Sequence, residues 1–158
     1  MVDVTYETAT FAHAEALAPV MRGPDVAEVF AATGESPLEA LARGVANSSH
    51  CVAVLFDGQP ALIAGLVPTP RSSVLSNQPD CLWFLTGAAC SKSPRTFIGC
   101  TQRLRDEFLK ISPHLYNWVD DRYEGAKWLL RRLGVALSEP VPYGVHGELF
   151  RLGSIRRF

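Results

Sequence analysis

The chain has 158 residues, a formal net charge of −1 and 47% hydrophobic residues. This length predicts one domain, 1–158, that buries about two-thirds of the surface of the unfolded chain. The balanced charge gives no general attraction to nucleic acid or to an acidic membrane. No apolar run approaches the ~20 residues of a membrane span, and the N-terminus lacks a secretory leader pattern. We therefore expect one soluble domain with no membrane span and no nucleic-acid-binding patch.

The spacing of cysteines and histidines argues against a metal site and against a disulfide framework. No two of Cys51, Cys81, Cys90 and Cys100 form a C-x-x-C pair. None of the four histidines lies at a spacing typical of zinc ligands. We therefore expect four reduced thiols, as in a cytosolic protein, and no bound metal.

Local signals mark where the predicted elements start and end. Thr10 and Ser36 are N-cap residues, and Glu39 completes a capping box with Ser36. Gly134 is placed to end a helix in left-handed backbone, and the Asp-Gly pair at 57–58 signals a hairpin. The predicted elements are a strand at 2–6, helices at 11–21, 24–30 and 36–47, strands at 51–56, 61–67 and 81–85, a helix at 94–111, a strand at 115–119, a helix at 121–132, and strands at 135–137 and 148–151.

The order of these elements predicts the fold class. A strand and three helices precede a strand hairpin, and strands alternate with helices after it. Such an order favours an α/β (α+β) domain with a mixed central sheet and helices on both faces. Trp83, Trp118 and Trp128 each lie in an apolar run, so we expect all three in the core. The segment 68–79, rich in Pro, Ser and Asn, is expected to be a loop.

A set of short residue patterns, spread over nearly the whole chain, accompanies this order. They are Arg22 with Asp25 and Glu28; Gly34-Glu35-Ser36-Pro37 with Ala40-Leu41; Ser48; Asp57-Gly58-Gln59-Pro60; Trp83 with Leu85-Thr86; Pro113 to Leu115; Asn117; Val119-Asp120; Ala126; Trp128-Leu129; Leu133-Gly134; Gly144; Gly147; and Phe150. With these patterns the chain resembles the N-acetyltransferase-like (GNAT) superfamily. More narrowly, it resembles a family of tailed-bacteriophage proteins related to the gene 13 protein of short-tailed phages, an internal virion protein. The resemblance implies a GNAT-like, mostly antiparallel sheet.

The resemblance also implies where acetyl-CoA would bind. GNAT enzymes hold its pyrophosphate at an Arg/Gln-x-x-Gly-x-Gly/Ala turn that opens the long helix, where free amides meet the helix dipole. The matching segment here, 95–100, has Ile98 and a cysteine at the glycine positions, and its glycine is out of register. The alternative is an ordinary serine–proline helix start, in which Ile98 obstructs a phosphate. The candidates for binding an anion are Ser93, Arg95, Thr96 and Gly99.

A general acid is the second requirement that the resemblance implies. In GNAT enzymes it is commonly a tyrosine four residues before the glycine that ends the penultimate helix, and this chain has Leu130 there. On the predicted helix, Tyr123 lies about 10 Å from Leu130 along the axis, nearly two turns earlier, which is too far for a simple replacement of the missing tyrosine. Tyr116 and Tyr143 remain as candidates.

A general base, which would deprotonate the acceptor amine, is the third requirement. Asp120, Asp121 and His146 are candidates by residue type. The alternative for the two aspartates is a turn and helix N-cap, and the alternative for His146 is an ordinary surface position. Asn117 would either bond exposed backbone beside the centre of the sheet or contact the cofactor.

These observations lead to two functional hypotheses from different classes. The first is a non-enzymatic virion component or assembly factor of a bacteriophage, without a cofactor. It would bind other phage structural proteins, or itself as a homo-oligomer, in the host cytoplasm and then in the phage particle. The alternative is a divergent acetyl-CoA-dependent N-acyltransferase that acts on an amine of a host or phage protein. A third idea is a module that binds and inhibits a host factor.

Overall fold

The computed structural model describes residues 1–70 and 78–157 of the chain. The strands are β1 (Val4–Thr8), β2 (His50–Phe56), β3 (Gln59–Val67), β4 (Asp80–Thr86), β5 (His114–Asp120), β6 (Ala136–Leu137), β7 (Val141–Tyr143) and β8 (Glu148–Arg156). The helices are α1 (Phe11–Leu17), α2 (Gly23–Thr33), α3 (Pro37–Asn47), α4 (Ala88–Lys92), α5 (Pro94–Ile111) and α6 (Glu124–Arg132). Most of the predicted loop at 68–79 lies outside the described residues.

All eight strands belong to one sheet. The strand order is β1-β2-β3-β4-β5-β8-β6, and β7 pairs with β8 beside this path. Among the described pairings only β4–β5 is parallel, and the rest are antiparallel. The predicted mixed, mostly antiparallel sheet is therefore confirmed. Within the described ranges, no helix combines the length and the apolar character needed to cross a membrane.

Helices cover both faces of the sheet because the central strands are apolar on both sides. Val54 and Leu62 point into a core closed by α5 and α6. Their neighbours Ala53 and Ile63 point to the opposite face, into a core closed by α1, α2 and α3. Since successive side chains of a strand alternate between faces, one continuous apolar run serves two cores. The predicted helices on both faces are confirmed.

Several predicted boundaries differ from the structure. The predicted helix at 11–21 ends at Leu17 and continues as a 3₁₀ turn, Ala18–Val20, where Pro19 removes a backbone donor. The predicted helix at 121–132 begins only at Glu124, because the two residues after β5 form a turn. The first strand is shifted to Val4–Thr8. The last strand extends to residue 156, since it pairs with the whole length of β5; α4 and β7 were not predicted.

The tryptophans do not all lie in the core. Trp83 packs against the α1–α3 core and donates from Nε1 to Ser48 Oγ at 2.9 Å. Trp128 is 55% exposed on α6, and the Arg132 guanidinium lies 5.6 Å from the centre of its ring. The expectation of a core position was therefore wrong for Trp128. The apolar residues around Trp128 belong to the amphipathic helix α6. Leu129 is buried on its inner side, whereas Trp128 lies on the side that faces solvent.

Glycine at position 44 allows α3 to pack directly on Trp83. A Cβ atom at Gly44 would lie 2.4 Å from the indole ring, closer than any real contact of this kind. We expect Gly44→Ala to lower the free energy of unfolding by about 1–3 kcal/mol, because the ring must move within a packed core. Urea denaturation measures this change.

The matched control for this prediction is Gly99→Ala. Gly99 lies inside α5, and a Cβ atom there would meet nothing within 4 Å. Alanine at an open helical position should therefore stabilise the protein, by about 0.5–1 kcal/mol. Equal stability of wild type and Gly44→Ala would contradict the proposed close packing.

Candidate functional site

The strands β4 and β5 separate after a short parallel contact. They pair only at Asp80 with Leu115 and at Cys81 with Tyr116. Beyond that point the facing backbone groups need other partners, since buried N–H and C=O groups are almost always bonded. Asn117 supplies one: its Nδ2 donates to Leu82 O at 2.9 Å, and its Oδ1 accepts from the Trp118 amide at 2.6 Å. Asn117 thus bonds exposed backbone at the gap, one of the two roles considered for it.

Helix α2 holds the far ends of the two separating strands. Asp25 Oδ2 accepts from both the amide and the hydroxyl of Thr86, the last residue of β4, each at 2.6 Å. Glu28 Oε2 accepts from the amide of Asp120, the last residue of β5, at 3.0 Å. The two carboxylates are three residues apart, so they project from one face of the helix. Together they bridge the open end of the gap.

A cavity of about 290 Å³ lies along this gap, between α5 and α6. Its walls are apolar over most of their length and include Leu82, Phe84, Phe97, Ile98, Leu129 and Leu133. Polar side chains from α2 and from the start of α6 also line it: Arg22, Asp25, Glu28 and Tyr123. Apolar walls with a few convergent polar groups are typical of a small-molecule site.

Hydrogen bonds join these polar groups into one network centred on Asp25. The Tyr123 hydroxyl donates to Asp25 Oδ1 at 2.6 Å, while Thr86 occupies Asp25 Oδ2. Arg22 Nε donates to Thr86 Oγ1 at 2.7 Å, and the guanidinium lies 5.1 Å from the centre of the Phe97 ring. Asp25 itself is only 4% exposed. Every hydrogen bond of this network therefore leads toward Asp25 as the final acceptor.

Glu28 and Tyr123, which line the cavity beside α2 and the start of α6, have raised pKa values. Burial raises the pKa of Glu28 from 4.5 to about 8; repulsion by Asp25 and Asp120 adds to this effect, and the bond from the Asp120 amide partly offsets it. Burial, followed by the nearby Asp25 carboxylate, raises the pKa of the Tyr123 phenol. Near neutral pH the Glu28 carboxyl can therefore both bind and release a proton, as a general base must.

Asp120, a predicted catalytic candidate, does not line the cavity. Its side chain is 4% exposed, and its two oxygens accept from Arg122 Nε and Nη2 at 2.7–3.3 Å. Burial opposes ionisation of Asp120, but the hydrogen bonds and charge of Arg122 outweigh it and hold the pKa below its ordinary value. Asp120 contributes to the site through its backbone amide, which binds Glu28. Asp121 pairs with Lys127 and Arg151 instead.

Tyr143 and His146, two further catalytic candidates, lie on the hairpin between β7 and β8, whereas the candidate Tyr116 lines the cavity. The Tyr143 ring stacks on Trp118 with 4.4 Å between centres, and the His146 ring lies 5.0 Å from that of Phe30. Gly144 keeps the hairpin against α2, since its φ of 81° and the nearby Ala31 carbonyl leave no room for a Cβ atom. Neither candidate side chain lines the cavity.

The predicted cofactor residues Ser93, Arg95, Thr96 and Gly99 surround the start of α5, outside the cavity lining. The Phe97 amide bonds to Ser93 O at 3.0 Å, so the amides of Arg95 and Thr96 lack partners within the helix. Gly99 faces open space, and no close approach of another backbone requires a glycine there. The helix start offers two amides but no glycine cradle for a pyrophosphate, and Ile98 lines the cavity wall beside it.

Metal chemistry has no counterpart in the described parts of the chain, where no cluster of three or more His, Cys, Asp or Glu side chains could hold an ion. All four cysteines are free, and Cys90 and Cys100 are buried. Burial raises the pKa of the Cys90 thiol to about 12, which makes it a poor nucleophile.

Solved acetyltransferase structures share this fold over nearly the whole chain. The N-acetyltransferase of Staphylococcus aureus Mu50 superposes with a TM-score of 0.71 at 11% identity, covering 98% of each chain. The GNAT-family acetyltransferase of Streptococcus pneumoniae gives 0.61 at 15% identity, covering 99% of this chain and 100% of its own. Salmonella typhimurium yncA, solved with its cofactor acetyl-CoA, gives 0.68 at 13% identity, covering 98% and 94%. The chain has the GNAT fold. No protein-family model matches it, and no curated protein is significantly similar.

The sequence pointed to some residues of the cavity but did not show their roles. Arg22, Asp25 and Glu28 belong to the pattern that carries the family resemblance, but locally the two carboxylates predict only favourable charges at a helix start. Tyr123 was placed inside a helix, whereas it precedes α6 and reaches back to α2. Two carboxylates at a spacing of three on one short helix are the signal that could have marked the site.

The raised pKa of Glu28 predicts a pH-dependent stability. In the unfolded chain this carboxyl ionises near its ordinary pKa of 4.5, and in the folded protein near 8. The folded state therefore loses stability, relative to the unfolded state, as the pH rises between these values. Glu28→Gln keeps an oxygen acceptor for the Asp120 amide and cannot ionise. We expect this variant to gain stability over wild type from about pH 4.5 to pH 8, by a few kcal/mol in all.

Denaturant unfolding at a series of pH values measures this difference. Glu15→Gln, an exposed change on α1, is the matched control and should follow the wild-type curve at every pH. A difference between Glu28→Gln and wild type that stays constant over this range would refute the raised pKa.

Proposed function

We propose that this protein is an N-acyltransferase that moves an acyl group from a thioester to an amine, with Glu28 as the general base. The observation that carries the proposal is the place of Glu28: a half-buried carboxyl that lines an apolar cavity at the gap between β4 and β5. Its pKa of about 8 suits proton transfer near neutral pH. The fold is shared with acetyltransferases, and one structural neighbour, yncA, carries acetyl-CoA as its cofactor.

The cavity fits the acyl-bearing arm of a thioester in length and in polarity. From Pro94 to Arg105 it follows three turns of α5, about 16 Å. A bound acyl thioester, with acetyl-CoA as the first choice, supplies an activated carbonyl carbon. The walls from β4, α5 and α6 would hold its arm. The free amides of Arg95 and Thr96, at the start of α5, would bind its phosphates. The Ile98 side chain lines the cavity wall beside these two amides.

Glu28 handles the proton during transfer. The amine nitrogen bonds to the acyl carbon, the carbon–sulfur bond breaks, and one N–H proton passes to the Glu28 carboxylate. The sulfur departs with the bonding electrons and takes a proton from solvent, and Glu28 later releases its proton to solvent, so the products are an amide and a free thiol. The low polarity of the cavity walls excludes water, which would otherwise compete with the amine.

A second candidate function is non-catalytic, and Ile98 and Leu130 favour it. Both side chains line the cavity, at positions where the resemblance implies a glycine and the general-acid tyrosine. The chain would then be a structural component or assembly factor of a phage particle, made in the host cytoplasm and bound to other phage proteins or to its own copies. Exposed apolar side chains of the β7–β8 hairpin would form the contact: Val141, Tyr143, Val145 and Leu149.

Release of free thiol from acetyl-CoA in the presence of primary amines tests the enzymatic proposal. We expect turnover by wild type and a loss of about 100-fold or more in Glu28→Gln, because a positioned general base contributes at least this much. Arg95→Ala should raise the KM for acetyl-CoA if the start of α5 meets the phosphates. Glu15→Gln, far from the cavity, is expected to keep wild-type rates.

The same protein samples distinguish the second candidate. A ligand that binds only the folded state raises the melting temperature, so millimolar acetyl-CoA should stabilise an acyltransferase. No thermal shift and no thiol release with acetyl-CoA, together with recovery of the chain from purified phage particles, would favour the non-catalytic function.

A further inference from the structure

The direction of one hydrogen bond in the cavity assigns a role to Tyr123 that a catalytic tyrosine does not usually have. Asp25 accepts from the Thr86 amide and the Thr86 hydroxyl through Oδ2, and from the Tyr123 hydroxyl through Oδ1. A hydroxyl has one proton to donate, and its oxygen lone pairs accept. The phenol proton of Tyr123 is therefore directed to Asp25, and only the lone pairs of the phenol oxygen remain for a ligand.

From this polarity we propose that Asp25 is a positioning residue that turns Tyr123 into a hydrogen-bond acceptor for the N–H of the acceptor amine, beside Glu28. This inference rests on the proposed acyl transfer, and it names the atoms that recognise the acceptor. Tyr123 is then a binding group for the amine and does not protonate the departing sulfur.

The surroundings of Tyr123 keep its hydroxyl in this orientation. Asp25 is buried and fixed by the backbone of β4, so it cannot turn away from the phenol. Arg22 bonds to the Thr86 hydroxyl, which orders the neighbouring donor as well. Burial raises the pKa of the phenol most, and the nearby Asp25 and Glu28 add to this effect, so Tyr123 holds its proton firmly and is a weak acid.

The same end of the cavity suits an amine by its balance of donors and acceptors. Tyr123 offers phenol lone pairs and Glu28 offers a carboxyl oxygen, and both residues line the same cavity. An amine N–H bonded to Tyr123 leaves a second N–H for Glu28, which removes that proton during transfer. A ligand with a positive charge but no N–H group lacks both contacts.

Direct binding of n-butylamine, followed by calorimetry or by NMR line shifts without any thioester, tests the inference. Tyr123→Phe removes only the hydroxyl and should weaken binding about 3- to 10-fold, the effect of one hydrogen bond. Tyr143→Phe changes a tyrosine outside the cavity and should leave binding unchanged. Butyltrimethylammonium, which has no N–H donor, should bind wild type and Tyr123→Phe equally weakly.

Asp25→Asn gives the sharper comparison because it keeps the Tyr123 hydroxyl. An asparagine amide can donate to the phenol oxygen and so reverse the hydrogen bond, and we expect amine binding to fall although the hydroxyl is present. If this variant does not fold, Tyr123→Phe alone decides. Unchanged butylamine affinity in Tyr123→Phe would overturn the inference.

Turnover separates this inference from the proposed function. We expect Tyr123→Phe to raise the KM for the amine with little change in kcat. A fall in kcat that an acyl thioester of an acidic thiophenol restores would instead make Tyr123 the proton donor to sulfur and overturn the inference. If wild type releases no thiol from acetyl-CoA but loses butylamine binding in Tyr123→Phe, the amine site stands and acyl transfer fails.

Discussion

Two carboxylates of α2 replace the strand-to-strand hydrogen bonds that β4 and β5 lose where they separate. Asp25 bonds the amide of Thr86 at the end of one strand, and Glu28 bonds the amide of Asp120 at the end of the other. A buried amide without a partner costs about 1–3 kcal/mol, so the gap needs these acceptors in order to stay open. Asn117 meets the same need nearer the start of the gap. The cavity between α5 and α6 exists because the strands diverge and the freed backbone is still satisfied.

One of the groups that hold the gap open, Glu28, is also the general base that we propose. A carboxyl that must face an apolar cavity resists ionisation, and this is why the pKa of Glu28 rises to about 8. A carboxyl oxygen can accept in either protonation state, so ionisation of Glu28 does not require loss of the bond from the Asp120 amide. Asp120 shows the contrast: beside Arg122 its pKa falls, and its side chain is tied up in an ion pair. The guanidinium of Arg122 lowers the pKa of Asp120, whereas Glu28, which faces the cavity, has a raised pKa.

The fold is shared at 11–15% identity with its structural neighbours because it depends on the pattern of apolar and polar residues more than on their exact types. Alternating apolar residues in β2 and β3 specify a sheet with two covered faces, and many side chains satisfy that requirement. At the start of α5 the core holds some positions, such as Phe97 and Cys100, and leaves others free. There Ile98 packs toward the cavity where the family resemblance implies a glycine, and Gly99 faces open space. A site can therefore diverge within one helical turn while the sheet beneath it is retained.

Sequence by itself determined the sheet, the helices on both faces and most element boundaries, because these follow from contacts between near neighbours. The Ser36–Glu39 capping box and the apolar alternation of β2 are readable within a few residues. It also gave the bonding of exposed backbone as one of two roles for Asn117. Only the tertiary structure decided the site. Asp25 meets Thr86 and Tyr123 across 61 and 98 residues of chain, and Glu28 meets Asp120 across 92. No local spacing encodes such contacts, since they depend on where the diverging strands end and on which helix spans the gap between them.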